Sequence, residues 1–246
     1  MAESFGAVAE RYDRVRPSYP QEMVTRIVAA APGRSVLDVG CGTGIAARQF
    51  QAAGCDVLGV EIDEKMAEVA RRHGIAVEVS PFETWRAGGR VFDAVVAGQT
   101  WHWVDPVAGA VKAAEVLCPG GRLAVFWNVG APPAHLGTAF ADIYRRLVPG
   151  FPVPAKQAGY SAFVDAVAGG LRPTGLFTEP EEWTFAWKQP YTRDEWLDHV
   201  PTVGGHSRFP EEQMTELLSA LGAAIDAEGG AFTMDYTTVV VTAERD

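Results

Sequence analysis

Val36-Leu37-Asp38-Val39-Gly40-Cys41-Gly42-Thr43-Gly44 is the stretch from which the fold can be read. An apolar run carrying one acid ends in three glycines at alternate positions. Ile45-Ala46-Ala47-Arg48-Gln49-Phe50 then starts a helical pattern. That order predicts a buried strand, a tight turn and a helix N-terminus. Glycines have no Cβ, so a ligand can lie against the backbone of the turn. Helix N-terminal N–H groups favour a negatively charged group there. The pattern is that of a nucleotide-type ligand site.

Outward from the turn, strands and helices alternate. Ser35–Val39 reads as a first strand, Ile45–Ala53 as a helix ended by Gly54, and Asp56–Glu61 as a second strand. Asp63 is placed to cap a helix over Glu64–His73. Ile75–Val79, Val91–Ala97 and Arg122–Trp127 read as three more strands. A helix opened by Asp105-Pro106 precedes the last of them. Such alternation implies a parallel sheet with helices on both faces. Before it lie a helix over residues 4–16 and another from Pro20 to about Ala30. After it, residues 129–175 carry many turn signals around two short helical stretches, which reads as an insertion over one end of the sheet. Thr184–Trp187 and Phe232–Ala243 look like late strands, with a helix at Glu211–Asp226 between them.

Composition narrows the function. The chain has 246 residues, 48% of them hydrophobic, enough for one domain with a large core. The formal net charge of -10 gives no basic footprint for nucleic acid or an anionic membrane. No run reaches the ~18 apolar residues of a membrane span, and the N-terminus lacks the pattern of a signal peptide. Cys41, Cys55 and Cys118 form no CxxC pair, which fits a reduced, cytoplasmic setting. No motif speaks to oligomeric state.

Three ligands compete for the turn. A phosphate-binding P-loop needs GxxxxGK[ST], and no Lys follows Gly44. A dinucleotide site needs GxGxxG; Gly40 and Gly42 match, but Ile45 stands at the third position. That weakens an NAD(P)-linked oxidoreductase without removing it. The third candidate is S-adenosylmethionine (SAM), a nucleoside bearing an amino acid and no phosphate. Asp38, so close to the turn, would repel a pyrophosphate but suits a ligand with a sulfonium and an ammonium group.

Leu37-Asp38-Val39-Gly40-Cys41-Gly42-Thr43-Gly44 closely resembles the first motif of class I SAM-dependent methyltransferases. Glu61, 21 residues after Gly40, stands where the family's acid holds the ribose hydroxyls. Ile62 and Met66 follow where the family places apolar contacts to adenine, and Ser80-Pro81-Phe82-Glu83 where it holds the adenine edge. Phe92–Gln99 resembles the fourth-strand motif, and Leu117-Cys118-Pro119-Gly120-Gly121-Arg122-Leu123 the turn before strand five. These matches cover roughly residues 35–128. Tyr12–Pro20, taken with Gln99-Thr100-Trp101-His102-Trp103, resembles the small-molecule branch that includes trans-aconitate-type enzymes, in which an N-terminal segment closes over the cofactor.

The resemblance implies a single domain, 1–246, with a Rossmann-like doubly wound α/β fold. Its sheet would have seven strands, mostly parallel, the last antiparallel, with helices on both faces. A helical cap would span 1–31 and a helical insertion 129–176. Tyr12, Asp38, Gly40, Cys41, Gly42, Gly44, Glu61, Ile62, Met66, Phe82 and Gln99 are the expected SAM-binding residues. Gln99 follows strand four, where a parallel sheet opens its ligand crevice. Cys41 reads as a small residue that fits the turn. Asp93 reads as structural.

His102 is the catalytic candidate, because a histidine titrates near neutral pH and can act as a general base. It can equally be held by hydrogen bonds for structure. The other four histidines show no metal-ligand spacing, and no metal is expected. Arg14, Arg16 and Tyr19 are candidates for recognising a carboxylate. The implied activity is methyl transfer from SAM to an O, N or C atom of a small molecule, a carboxylate among the candidates. A non-catalytic SAM-binding protein could share this sequence. Residues 129–200 are expected to contribute the acceptor pocket.

Overall fold

The computed structural model describes residues 9–151 and 158–246. The expected helix start at residues 4–8 and the turn signals at Pro152 and Pro154 lie outside them. A first helix, α1, runs Ala9–Val15 and α2 runs Gln21–Ala30. The alternating unit follows: β1 Ser35–Val39, α3 Ile45–Ala52, β2 Asp56–Glu61, α4 Glu64–Arg72 and β3 Ala76–Val79. Then come β4 Phe92–Gly98, α5 Pro106–Val116 and β5 Leu117–Ala131. Helices α6 Ala134–Leu147 and α7 Ala158–Leu171 precede β6 Glu181–Thr192, α8 Arg193–His199, α9 Glu211–Asp226 and β7 Ala231–Glu244.

The seven strands form one sheet in the order β3-β2-β1-β4-β5-β7-β6. β1 pairs in parallel with both β2 and β4, and β4 with β5. β7 runs antiparallel between β5 and β6. The chain direction of the crossovers reverses between β1 and β4, so a crevice opens beyond their carboxyl ends.

Period-two alternation sorts the side chains onto two faces. Leu37, Val39, Val95, Leu123 and Val125 pack with Ala110, Ala113 and Ala114 of α5. Val36, Val57, Val96 and Phe126 pack with Met23, Val24 and Ile27 of α2 and Phe50 of α3. A third cluster gathers Phe140 of α6, Tyr191 of β6, Leu217 and Leu221 of α9, and Phe232, Met234 and Tyr236 of β7. It is built on the ends of β6 and β7 that α8 and α9 connect.

The expected insertion is divided in two. Val167 and Leu171 place α7 in the α5-side core, whereas α6 packs with α9 in the third cluster. β6 is far longer than Thr184–Trp187. Its alternation continues through Trp183, Phe185 and Tyr191, and Pro190 is tolerated because β6 is an edge strand. β5 begins at Leu117 because Phe92 pairs with Leu117 before the register shifts to Ala94 with Arg122. The turn glycines bulge the strand without ending it. Helix α8 was not expected, although Thr192 and Glu195 form a capping box.

Candidate functional site

The glycine turn is bent by its backbone and locked by its neighbours. Gly40 has φ +62°, and its N–H donates to Val60 O at 2.7 Å. A Cβ at Gly40 would fall 2.0 Å from Thr100 Cγ2. The Thr100 hydroxyl bonds Gly40 O at 3.1 Å and Gly98 O at 2.9 Å, strapping β4 to the turn. Gly42 points the other way, with only Met66 Cε within 4 Å of where its Cβ would stand. Gly44 also has a positive φ, but its missing Cβ faces Ile75 and Ala70, and it does not line the cavity. Among the expected cofactor residues, Gly44 alone lies outside the lining, where it lets α3 pack close to α4.

The turn forms one wall of a cavity of about 280 Å³. Every other expected residue lines it: Tyr12, Asp38, Gly40, Cys41, Gly42, Glu61, Ile62, Met66, Phe82, Gln99 and His102. Asp38 stands out energetically. It is 1% exposed, and no donor reaches either carboxylate oxygen with hydrogen-bond geometry. Burial first, and the Glu61 carboxylate second, push its pKa up to about 8; the Ala47 backbone opposes them. A buried acid without a partner is costly unless a ligand supplies one.

Glu61, at the end of β2, is differently placed. Its Oε1 accepts the N–H groups of Ile62 and Asp63, both at 2.9 Å, and Oε2 accepts Gly42 N–H at 2.8 Å. Burial raises its pKa, while these peptide bonds oppose the rise. Oε1 is thus filled and Oε2 keeps one acceptor position, room for one strong ribose hydrogen bond rather than two. Asp63 caps α4 through Lys65 N and Met66 N, which sets Met66 against the cavity.

The far end of the cavity is formed by the N-terminal segment and by the residues after β4. Among the described residues Arg16 is the only Lys or Arg lining the cavity, and its guanidinium lies 5.2 Å from the Tyr12 ring centroid. Arg14 points elsewhere and pairs with Asp198 at 2.8 Å. Tyr19 packs edge-on to Phe126 at 4.7 Å, its hydroxyl beside Gly98. Gln99 has φ +59°, the one non-glycine residue with positive φ among those described. Its N–H bonds Phe126 O at 2.8 Å and its amide donates to Asn128 O at 3.4 Å. Strain of this kind collects where a side chain must be aimed.

His102 sits in a 3₁₀ turn, Trp101–Trp103, with its Nδ1 3.4 Å from Trp127 Nε1. Burial lowers its pKa. Trp101 is core, whereas Trp103 lines the cavity. Asp93 accepts Ser35 N–H at 2.9 Å and lies away from the site, a structural position.

Residues 129–200 contribute nothing to the lining among those described; Thr202 and Gly204 do instead. They reach the cavity because α8 docks beside α1, where His199 Nδ1 meets Val15 O at 3.2 Å. No local sequence signal marks that approach. Thr100, the strap of the turn, was also missed; its place two residues past β4 was the available hint.

Residues 37–125 match the family described as a methyltransferase domain. An uncharacterised methyltransferase of Mycobacterium tuberculosis is 39% identical over 136 residues, covering 52% of this chain and 53% of that protein. The chain thus spans about half the length of these mycobacterial relatives. A ubiquinone biosynthesis O-methyltransferase of Bordetella avium is 30% identical over 173 residues, 63% of this chain and 69% of that protein. Among solved structures, a protein described as a type II methyltransferase from Anaeromyxobacter dehalogenans superposes with a TM-score of 0.69. It is 22% identical and covers 93% of this chain and 97% of its own, a likeness of fold.

Proposed function

This chain belongs to the class I SAM-dependent methyltransferases, and we propose that it transfers the SAM methyl group to an oxygen of a small carboxylate. The observation that carries the cofactor half is Asp38. Its buried, unpartnered carboxylate lines the cavity and matches the ammonium of the SAM amino acid. Glu61 Oε2 offers its free position to a ribose hydroxyl, and Gly42 leaves the backbone open beside it. Ile62, Met66 and Phe82 supply apolar contacts for adenine. When bound, SAM provides a methyl already activated on a sulfonium.

What remains for the protein is alignment, which supplies much of the rate in such a displacement. A carboxylate acceptor has no proton to lose, so no base is required. The acids of the lining disfavour an anion over most of the cavity, and Arg16 is the cation that admits one. The trans-aconitate-like branch remains consistent with that assignment, as does a cytoplasmic site of action. No described helix is long and apolar enough to cross a membrane.

Titration calorimetry tests the cofactor reading. Asp38→Asn should weaken SAM by about tenfold or more and leave 5′-methylthioadenosine, which lacks the amino acid, unchanged. Equal weakening of both ligands refutes the ammonium contact. Labelled methyl should pass from SAM to small carboxylic acids and not to their amides. Arg16→Gln should raise the acid's KM without changing SAM affinity. A binder without transferase activity would label nothing.

A further inference from the structure

We propose that Trp127 holds the His102 ring with its Nε2–H toward the cavity, so that His102 donates a hydrogen bond to the acceptor's anionic oxygen and is not a general base. The ligand half of this assignment rests on the carboxylate reading above. The ring orientation does not.

The argument starts from an indole that can only donate. Trp127 Nε1 lies 3.4 Å from His102 Nδ1, so that nitrogen must present its lone pair. Trp127 is 3% exposed, and water cannot replace the partner of its N–H without cost. Two tilted rings flank the imidazole as well: the Trp103 centroid lies 4.6 Å away and that of Phe163 5.1 Å, and Phe163 stacks on Trp127 at 5.6 Å. The ring keeps an exposed edge, and partial desolvation by its neighbours favours the neutral form. A neutral ring with a lone pair on Nδ1 carries its proton on Nε2.

His102 lines the cavity, and its Nδ1 edge is turned to Trp127, which leaves the Nε2 edge for a ligand. A base acting through Nε2 would need the other tautomer, in which Nδ1–H and the indole N–H confront each other. The donor form instead gives an acceptor oxygen a second positive contact besides Arg16. Among the described residues no carboxylate hydrogen-bonds this histidine, the partner that would raise its basicity. The Nδ1 neighbour is a donor. His102 is thus a positioning group that touches substrate, selecting an anion over its neutral analogue.

The test uses the whole protein, ¹⁵N-labelled and loaded with S-adenosylhomocysteine. Long-range ¹H–¹⁵N spectra near neutral pH should show His102 as the Nε2–H tautomer, becoming a mixture in Trp127→Phe. An Nδ1–H tautomer, or no change in Trp127→Phe, overturns the lock. Benzoate, with benzamide as its neutral control, then probes the donor. His102→Gln places an amide N–H near the Nε2 position and should keep benzoate affinity within about threefold, while His102→Asn should lose about tenfold. Equal losses in both variants overturn the donor role even if the tautomer is as stated. Wild-type protein that does not prefer benzoate to benzamide refutes the carboxylate reading, and the anion contact with it, while leaving the tautomer result standing separately.

Discussion

Asp38 ionises late because it is buried beside Glu61, and that links ligand binding to protons. The pKa of about 8 lies above the ordinary carboxyl value of 3.8, so free protein carries a protonated Asp38 at neutral pH. An ammonium ligand pairs with the ionised form, so binding releases a proton there. SAM affinity should therefore rise with pH, at most about tenfold per unit, and stop rising near pH 8. Calorimetry across pH checks this, and Asp38→Asn should flatten the rise. The same substitution should stabilise the empty protein. An acid whose folded pKa is raised contributes stability at low pH that is lost as pH climbs from about 4 to about 8. At pH 8 the Asn variant should melt a few degrees higher, at about 2–4 °C per kcal/mol for a chain this size. Glu61→Gln should have the opposite effect on stability and the same direction of effect on SAM. Its amide would face the N–H groups of Ile62 and Asp63 or of Gly42, lowering Tm and weakening SAM about tenfold or more.

Ion pairs tie α1 to its neighbours, beside the packing of Ala9 on Met66 and Val69. They join Arg11 and Arg14 to Asp198, Asp13 to Arg48 and His73, and Glu10 to Arg72. These partners lie on α8, α3 and α4 or its C-cap, and so surround the cavity to which α1 gives Tyr12. Exposed pairs are each worth under about 1 kcal/mol, so Asp198→Ala should barely alter global stability. It should speed amide exchange over Ala9–Val15 and hasten SAM release, which hydrogen exchange and stopped-flow would read. Arg11 and Arg14 share that one carboxylate, so a single substitution frees both.

Over the whole molecule, buried histidines set the acid limit. His199 is 4% exposed, and burial, reinforced by Arg16, depresses its pKa to about 3. Its neutral form stabilises the fold above the unfolded value of 6.5, and that contribution is lost as pH falls toward 3. His206, bonded to Tyr144 at 2.8 Å, shifts in the same direction. Both belong to the region around the third core, where α6, α8 and α9 meet the paired ends of β6 and β7. Calorimetry should show Tm falling below pH 6.5, by the equivalent of a few kcal/mol at the acid end. His199→Asn keeps a donor for Val15 O and should make that fall shallower.

Local order was readable in the sequence because its causes are local. The alternation from Ser35 to Trp127, the capping of α4 by Asp63 and the span of α9 follow from periodicity, caps and turn glycines acting within a few residues. So did the gathering of Asp38, Glu61 and Gln99, since in a parallel sheet every strand's carboxyl end lies on one edge. Gly44 could not be placed from the sequence, because a glycine can serve a ligand or a neighbouring helix and only packing puts it beside Ile75 and Ala70. Thr202 and Gly204 enter the site through the docking of α8 on α1, a contact between segments more than 180 residues apart in the chain, with no local trace. The state of His102 was equally out of reach, because its partner Trp127 stands on β5, 25 residues away, and a histidine's role depends on which nitrogen is engaged. The sequence by itself determined the sheet, the turn and the class of ligand, through short-range sterics and hydrogen bonding. Only the tertiary structure decided which polar groups are buried together, and burial without water is what sets their charge and their chemistry.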